Sequence, residues 1–322
     1  MTGATYAYYP GCSGLGTSKE YDSSSRAVCR ALFMKIADVP DWSCCGSTPA
    51  HTVDHVLSSA LSARNLALVE SMGLDTVVTP CPSCLTNLRT ACHRMEEDSF
   101  RDEANALLDA PFKGTVTAKS LLQALIEDVG LEMIAASTVK PLTGLKVAPY
   151  YGCIMNRPPE LMRFDDHENP VAMDRILTAM GAEVVPFPLK VECCGASFGV
   201  PRSDVVAKLS GRLLETAREL GADAMVTACP LCQMNLDLRQ EQAARAMATS
   251  FSMPVFYFTQ LMGLALGVSE AELGFDKICV SPARALSLIG AAKPDAGKSS
   301  QEARATKTGQ GAKPQAQSGG QA

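Results

Sequence analysis

Ten of the thirteen cysteines in this 322-residue chain fall into two matching sets of five, so any fold it adopts has to gather three separated segments twice over. The first set is Cys12, the doublet Cys44-Cys45, and the CxxC pair Cys81 and Cys84. The second is Cys153, Cys193-Cys194, and Cys229 and Cys232. Between lone cysteine and doublet lie 31 residues in the first set and 39 in the second; between doublet and CxxC lie 35 and 34. The neighbouring letters repeat as well. Tyr9-Pro10-Gly11-Cys12 answers Tyr151-Gly152-Cys153, Cys44-Cys45-Gly46 answers Cys193-Cys194-Gly195, and Thr79-Pro80-Cys81-Pro82-Ser83-Cys84 with Asn87 answers Thr227-Ala228-Cys229-Pro230-Leu231-Cys232 with Asn235. Such register points to an internal duplication, with most of the length difference in the loop between Cys153 and Cys193.

Composition narrows the class. With 47% hydrophobic and 20% charged residues the chain reads as soluble and globular, long enough for one large core or two modest ones. A net charge of −5 and the lack of a basic stretch argue against a nucleic-acid partner. Met1 to Pro10 has neither the charged start nor the long apolar run of a secretory signal, and no run suits a transmembrane segment. The expected place is therefore a reducing cytoplasm, where clustered cysteines bind metal or catalyse rather than form a disulfide framework.

Each half reads as the same series of elements. A short strand (Thr5 to Tyr9, Lys146 to Tyr150) delivers the lone cysteine, and a helix follows (Lys19 to Ile36, Val171 to Met180). After the doublet comes a long helix (Val53 to Ser71, Asp204 to Leu220). A second strand (Thr76 to Thr79, Ala224 to Ala228) then leads into CxxC and a helix bearing its second cysteine and the asparagine. Thr117 to Val129 and Phe258 to Gly267 read as closing helices, and Gly130 to Leu145 as the linker. The expected fold is α/β, two duplicated domains at 1–135 and 146–290, each a small mostly parallel sheet flanked by helices. Residues 291–322 contain no Leu, Ile, Val or aromatic residue and read as a disordered tail.

Thiolates select soft or borderline metals, chiefly zinc and iron-sulfur centres. Zinc takes four ligands and would leave one thiol idle per set, whereas a larger or distorted iron-sulfur assembly uses all five; the count tilts towards iron and leaves zinc open. Pro82 and Pro230 suit a sharp reversal into a helix start, and a helix N-terminus favours thiolate.

The doubled pattern of Cys, then Cys-Cys-Gly, then CPxC resembles the cysteine-rich CCG domain, and two such domains without other cofactor motifs resemble the B subunit of heterodisulfide reductase, over about residues 5 to 270. That resemblance implies two noncubane 4Fe-4S clusters facing each other across a pocket where a disulfide is split. One would sit on Cys12, Cys44, Cys45, Cys81 and Cys84, with zinc as an alternative there, and the other on Cys153, Cys193, Cys194, Cys229 and Cys232. The clusters themselves would be the catalytic groups. It also implies partners, a ferredoxin-like C subunit and a flavin-bearing A subunit, because the chain shows no ferredoxin cysteine run and no flavin or nicotinamide fingerprint. The glycines of Gly11-Cys12-Ser13-Gly14-Leu15-Gly16 read as a tight turn beside a cluster.

The disulfide is either of the coenzyme M/coenzyme B type or carried on a sulfur-carrier protein; Ile154, where methanogenic members tend to place a polar residue, leaves room for a different substrate. Two rival readings are the CCG subunit of a lactate, glycolate, succinate or fumarate oxidoreductase, and a zinc-stabilised scaffold. Intact five-cysteine sets in both halves favour the disulfide reductase. Cys29, Cys92 and Cys279 read as ordinary cysteines, His51 and His55 as cap or solvated residues that could also serve a leaving thiolate, and Lys190, Arg157 and Arg202 as surface cations that could also meet an anionic substrate.

Overall fold

In the computed structural model, which describes residues 4–47 and 50–291, the chain is built on two four-stranded sheets. The first contains β1 (Thr5–Tyr8), β2 (Lys35–Asp38), β3 (Thr76–Thr79) and β4 (Thr117–Ser120) in the order β2-β1-β3-β4. The second contains β5 (Lys146–Tyr150), β6 (Glu183–Val184), β7 (Ala224–Thr227) and β8 (Val255–Tyr257) in the order β6-β5-β7-β8. Every pairing is parallel, with Ala7 opposite Val77 in the first sheet and Val147 opposite Ala224 in the second. The central strands are short runs of β-branched, aromatic and small residues buried almost throughout, as parallel strands covered on both faces must be. β2, at an edge, is capped by Lys35 and Asp38, charges that discourage further pairing.

The helices that position the site are α1 (Lys19–Ala31), α2 (His55–Ser71), α3 (Pro82–Arg94), α4 (Leu121–Ala124), α5 (Ala172–Ala179), α6 (Ser203–Glu219), α7 (Pro230–Asp237) and α8 (Phe258–Ala265). The α/β class and the two parallel sheets expected from the sequence are present. Four strands differ from that expectation. Lys35–Asp38 is β2 rather than the end of the first helix, Glu183–Val184 is a strand, and β4 and β8 precede the closing helices. The presumed linker contains a helical turn at Leu131–Ala136, and the expected tail lies outside the described residues beyond Ala291.

One hydrophobic core is shared by both halves. It joins Val78, Leu121 and Leu125 to Val147, Val226, Phe256 and Leu261, and smaller cores sit under each sheet's other face. Helices are exchanged across the junction: α1 packs on α8 of the second half, and α5 on α4 of the first. The longer loop after Cys153 acts as a clamp. Its short helix Pro159–Met162 buries Met162 in the first half's core. Its carbonyls at Leu161 and Met162 accept from Arg89 of α3, which also donates to Ala118 O at 2.9 Å and Gln123 Oε1 at 2.7 Å. The extra residues counted in the second half therefore serve the contact between halves. Arg89→Ala is expected to lower unfolding free energy by about 3 kcal/mol, since several charge-assisted bonds to a half-buried guanidinium are lost together. Arg89→Lys should not restore it; urea denaturation measures both.

Candidate metal centres

In each sheet the strand order reverses between the first and third strands, and the carboxyl ends at such a reversal are the usual ligand position in an open parallel sheet. All ten motif cysteines are delivered there or nearby. Cys12 lies in a short helix, Gly11–Leu15, that begins just beyond β1. Cys81 and Cys229 are the N-caps of α3 and α7, with Pro82 and Pro230 in the first turn, as the sequence suggested. The doublets arrive from the connections after β2 and β6.

Each set has a floor and a rim. Cys45, Cys81 and Cys84 are buried, Cys44 is half-buried and Cys12 exposed; Cys194, Cys229 and Cys232 are buried, with Cys153 and Cys193 half-buried. The Cys194 and Cys232 sulfurs are 3.6 Å apart. Hydrogen bonding from Cys232 brings the Cys194 thiol down to about 6 against the opposing effect of burial, and Cys84 brings Cys45 down to about 7 in the same way. Cys84 also lowers Cys81, while burial pushes Cys153 up to about 12. Backbone amides are aimed at the second set: Gly195 N donates to Cys193 Sγ at 3.3 Å and Ala196 N to Cys194 Sγ at 3.4 Å. Asn235 Nδ2 lies 3.5 Å from Cys194 Sγ and donates to Ala196 O.

Two glycines make the crowding possible. Gly11 and Gly152 have φ of +70° and +76°, and a Cβ on either would stand 2.8 Å from Cys84 Sγ or 2.9 Å from Cys232 Sγ. The second set borders a cavity of about 80 Å³ lined also by Tyr151, Ile154 and Leu231, and by Ser83 from the CxxC turn of the other half. Five soft donors, amides directed at sulfur and a backbone stripped of side chains fit a sulfur-ligated metal group. Among the described residues no three Cys, His, Asp or Glu side chains are gathered as the ligands of a single ion.

The structure corrects one equivalence and adds residues that the sequence did not single out. Tyr150, not Tyr151, is the counterpart of Tyr9. The Tyr9 hydroxyl donates to Ser43 O at 2.7 Å and the Tyr150 hydroxyl to Glu192 O at 2.7 Å, each pinning the backbone immediately before a doublet. Counting three residues back from each lone cysteine would have found the pair. Tyr151 instead donates to Asp174 Oδ2 at 2.6 Å, and Lys190 Nζ donates to Asp174 Oδ1 at 2.5 Å. Lys190 is therefore a buried cation in an ion pair, not a surface one, and its carbonyl accepts from Tyr151 N and Gly152 N beside the second set. The Tyr21 hydroxyl touches both halves, 3.0 Å from Pro80 O and 2.9 Å from Ala228 O.

The remaining candidates are accounted for locally. Arg202 pairs with Asp204 on the surface and Arg157 with Glu168. His51 and His55 are exposed, and the His55 ring lies 3.0 Å from His51 O. Cys29 is core, its thiol pushed up to about 12 by burial, and Cys92 is pushed up to about 11 for the same reason. Cys279 is exposed.

Two tests follow from this packing. Gly152→Ala should abolish metal loading at the second set alone and Gly11→Ala at the first alone, read as metal per protein; the double variant should hold none. Lys190→Met should cost about 2–3 kcal/mol of stability by leaving the half-buried Asp174 carboxylate with Tyr151 but without its cation, measured by thermal or urea unfolding.

Known proteins are similar to this chain in sequence and in fold. The cysteine-rich CCG domain matches twice, at residues 6–89 and 147–237. The 8-methylmenaquinol:fumarate reductase membrane anchor subunit of Wolinella succinogenes is 36% identical over 84% of this chain and 95% of its own length. The B subunit of the ferredoxin/F(420)H(2)-dependent CoB-CoM heterodisulfide reductase of Methanosarcina acetivorans is 30% identical over 85% and 93%, and a protein of Archaeoglobus profundus described as like the heterodisulfide reductase B subunit is 32% identical over 86% and 95%. Among solved structures, a hypothetical protein from Helicobacter pylori shares the fold at a TM-score of 0.68 and 13% identity, over 86% of this chain and 52% of that one. With the domain matched over more than half its length and such relatives along most of it, the chain belongs to the cysteine-rich CCG-domain family, with the domain present twice, alongside the B subunits of heterodisulfide reductases.

Proposed function

We propose that this protein is the disulfide-reducing subunit of a heterodisulfide reductase-like complex, with two iron-sulfur clusters held by the ten motif cysteines. The first would be bound by Cys12, Cys44, Cys45, Cys81 and Cys84, and the second by Cys153, Cys193, Cys194, Cys229 and Cys232. The observation that carries this reading is Ser83: a residue between two cysteines of the first set lines the cavity of the second, so the two sets are neighbours. A disulfide takes up two electrons and two protons to become two thiols, and an iron-sulfur cluster supplies electrons one at a time.

The chain's own residues supply the setting. The buried thiols would anchor the floor, and Cys12, Cys44, Cys153 and Cys193 are the more exposed members of their sets. Ile154 and Leu231 give the second cavity an apolar lining, and amides at Gly195 and Ala196 stabilise negative charge on sulfur there. With no flavin or ferredoxin motif in the chain, electrons would come from partner subunits, a flavin-bearing one and a ferredoxin-like one, in the cytoplasm. The sulfur substrate is a disulfide, free or protein-bound.

A second reading is favoured by a specific observation, the 36% identity to a subunit named as the membrane anchor of a quinol:fumarate reductase. On that reading the protein passes electrons between a membrane-bound donor and a fumarate reductase. No helix among the described residues is long and apolar enough to cross a membrane. Exposed apolar side chains do follow the motif cysteines in sequence, Leu15 and Val53 in the first half and Phe198 and Val200 in the second.

The two readings separate in one assay. Anaerobically purified, iron-replete protein reduced with a viologen dye should reoxidise on addition of a mixed disulfide and release free thiols. Reoxidation by a soluble menaquinone analogue with inertness to every disulfide would support the second reading. Zinc alone at both sets would contradict both.

A further inference from the structure

One side chain makes polar contact with both segments that lead into the CxxC turns. Tyr21, on α1 of the first half, is 1% exposed, and its hydroxyl reaches the carbonyl oxygen immediately before Cys81 and the one immediately before Cys229. These two carbonyls belong to segments that have left the sheet and not yet entered α3 or α7. A phenol has one proton, so it serves both acceptors as a three-centre bond.

The ring is held as firmly as the hydroxyl. It stacks on Tyr257 of the second half at 4.0 Å between centroids and 4° between planes, and Phe258 meets its edge. One turn further along α1, Ser24 Oγ lies 2.7 Å from Thr259 Oγ1, so the helix cannot slide without losing both contacts.

We propose that Tyr21 is a positioning residue shared by both metal centres, fixing the separation of the two CxxC turns and setting their electrostatics together. It touches no substrate. Its O–H dipole polarises the two peptide units whose amide nitrogens belong to Cys81 and Cys229, so each centre's reduced, more negative state is stabilised by the same proton. This deepens the disulfide-reducing reading, in which two centres act on one bond and need a fixed spacing and matched potentials.

The test is Tyr21→Phe, which keeps the ring and its stack and removes only the hydroxyl, in the full-length, metal-loaded protein. Two measurements are compared with wild type: amide hydrogen exchange in peptides spanning 80–84 and 228–232, and midpoint potentials of both centres by EPR-monitored titration. The expected result is faster exchange in both peptides and a downward shift of both potentials, with iron content unchanged. Changes confined to one turn, or to neither, would overturn the proposal. Should the variant not fold, 3,5-difluorotyrosine at position 21, a stronger donor of nearly the same shape, should shift both potentials upward; no shift at either overturns it equally. If the protein proves to hold no redox-active metal, the disulfide-reducing reading fails, while the exchange comparison still decides the role of Tyr21.

Discussion

Crowding of the buried motif sulfurs is the constraint that shapes each half, with the Cys194 and Cys232 sulfurs 3.6 Å apart in the second. Thiols crowd only where the backbone can approach them without a side chain, and Gly11 and Gly152 supply that approach at left-handed φ. The sheet does the rest. With order β2-β1-β3-β4, and β6-β5-β7-β8 in the copy, the carboxyl ends of the two central strands lie side by side, and the lone cysteine and the CxxC pair leave from those ends. Each doublet is fastened by a tyrosine and a serine hydroxyl, from Tyr9 and Ser62 in one half and Tyr150 and Ser210 in the other.

Duplication was used unequally. The first half contributes Arg89 and Tyr21 to the junction; the second contributes the loop helix around Met162, together with Tyr257 and Phe258. A Tyr151–Asp174–Lys190 network flanks the second set, while the first half has Pro10 beside its glycine and a Tyr8–Asp22–Arg26 network near its lone cysteine. Two copies of one ligand pattern thus sit in different surroundings, joined by a shared core.

Much of this was legible in the letters. The ten cysteines, the internal repeat, the parallel sheets and the helix starts at Pro82 and Pro230 all follow from local spacing and propensity. Edge strands were not legible: Lys35–Asp38 follows a helical stretch without a strong turn signal, and Glu183–Val184 is too short to show alternation. The role of Lys190 was hidden because its ion pair with Asp174 is made by packing, and nothing in the sequence marks a lysine as buried. Tyr21 was hidden for a related reason. Its two acceptors are backbone carbonyls, one of them 207 residues away, and main-chain partners leave no trace in side-chain patterns.

Two thiol sets close enough for their centres to sense one another are what the proposed chemistry requires above all. Low-temperature EPR of the anaerobically purified protein, taken with its iron and inorganic sulfide content, measures this directly. Two iron-sulfur signals that interact magnetically when both are paramagnetic are predicted. Zinc in both sets, or two iron centres with no interaction at any degree of reduction, would contradict it.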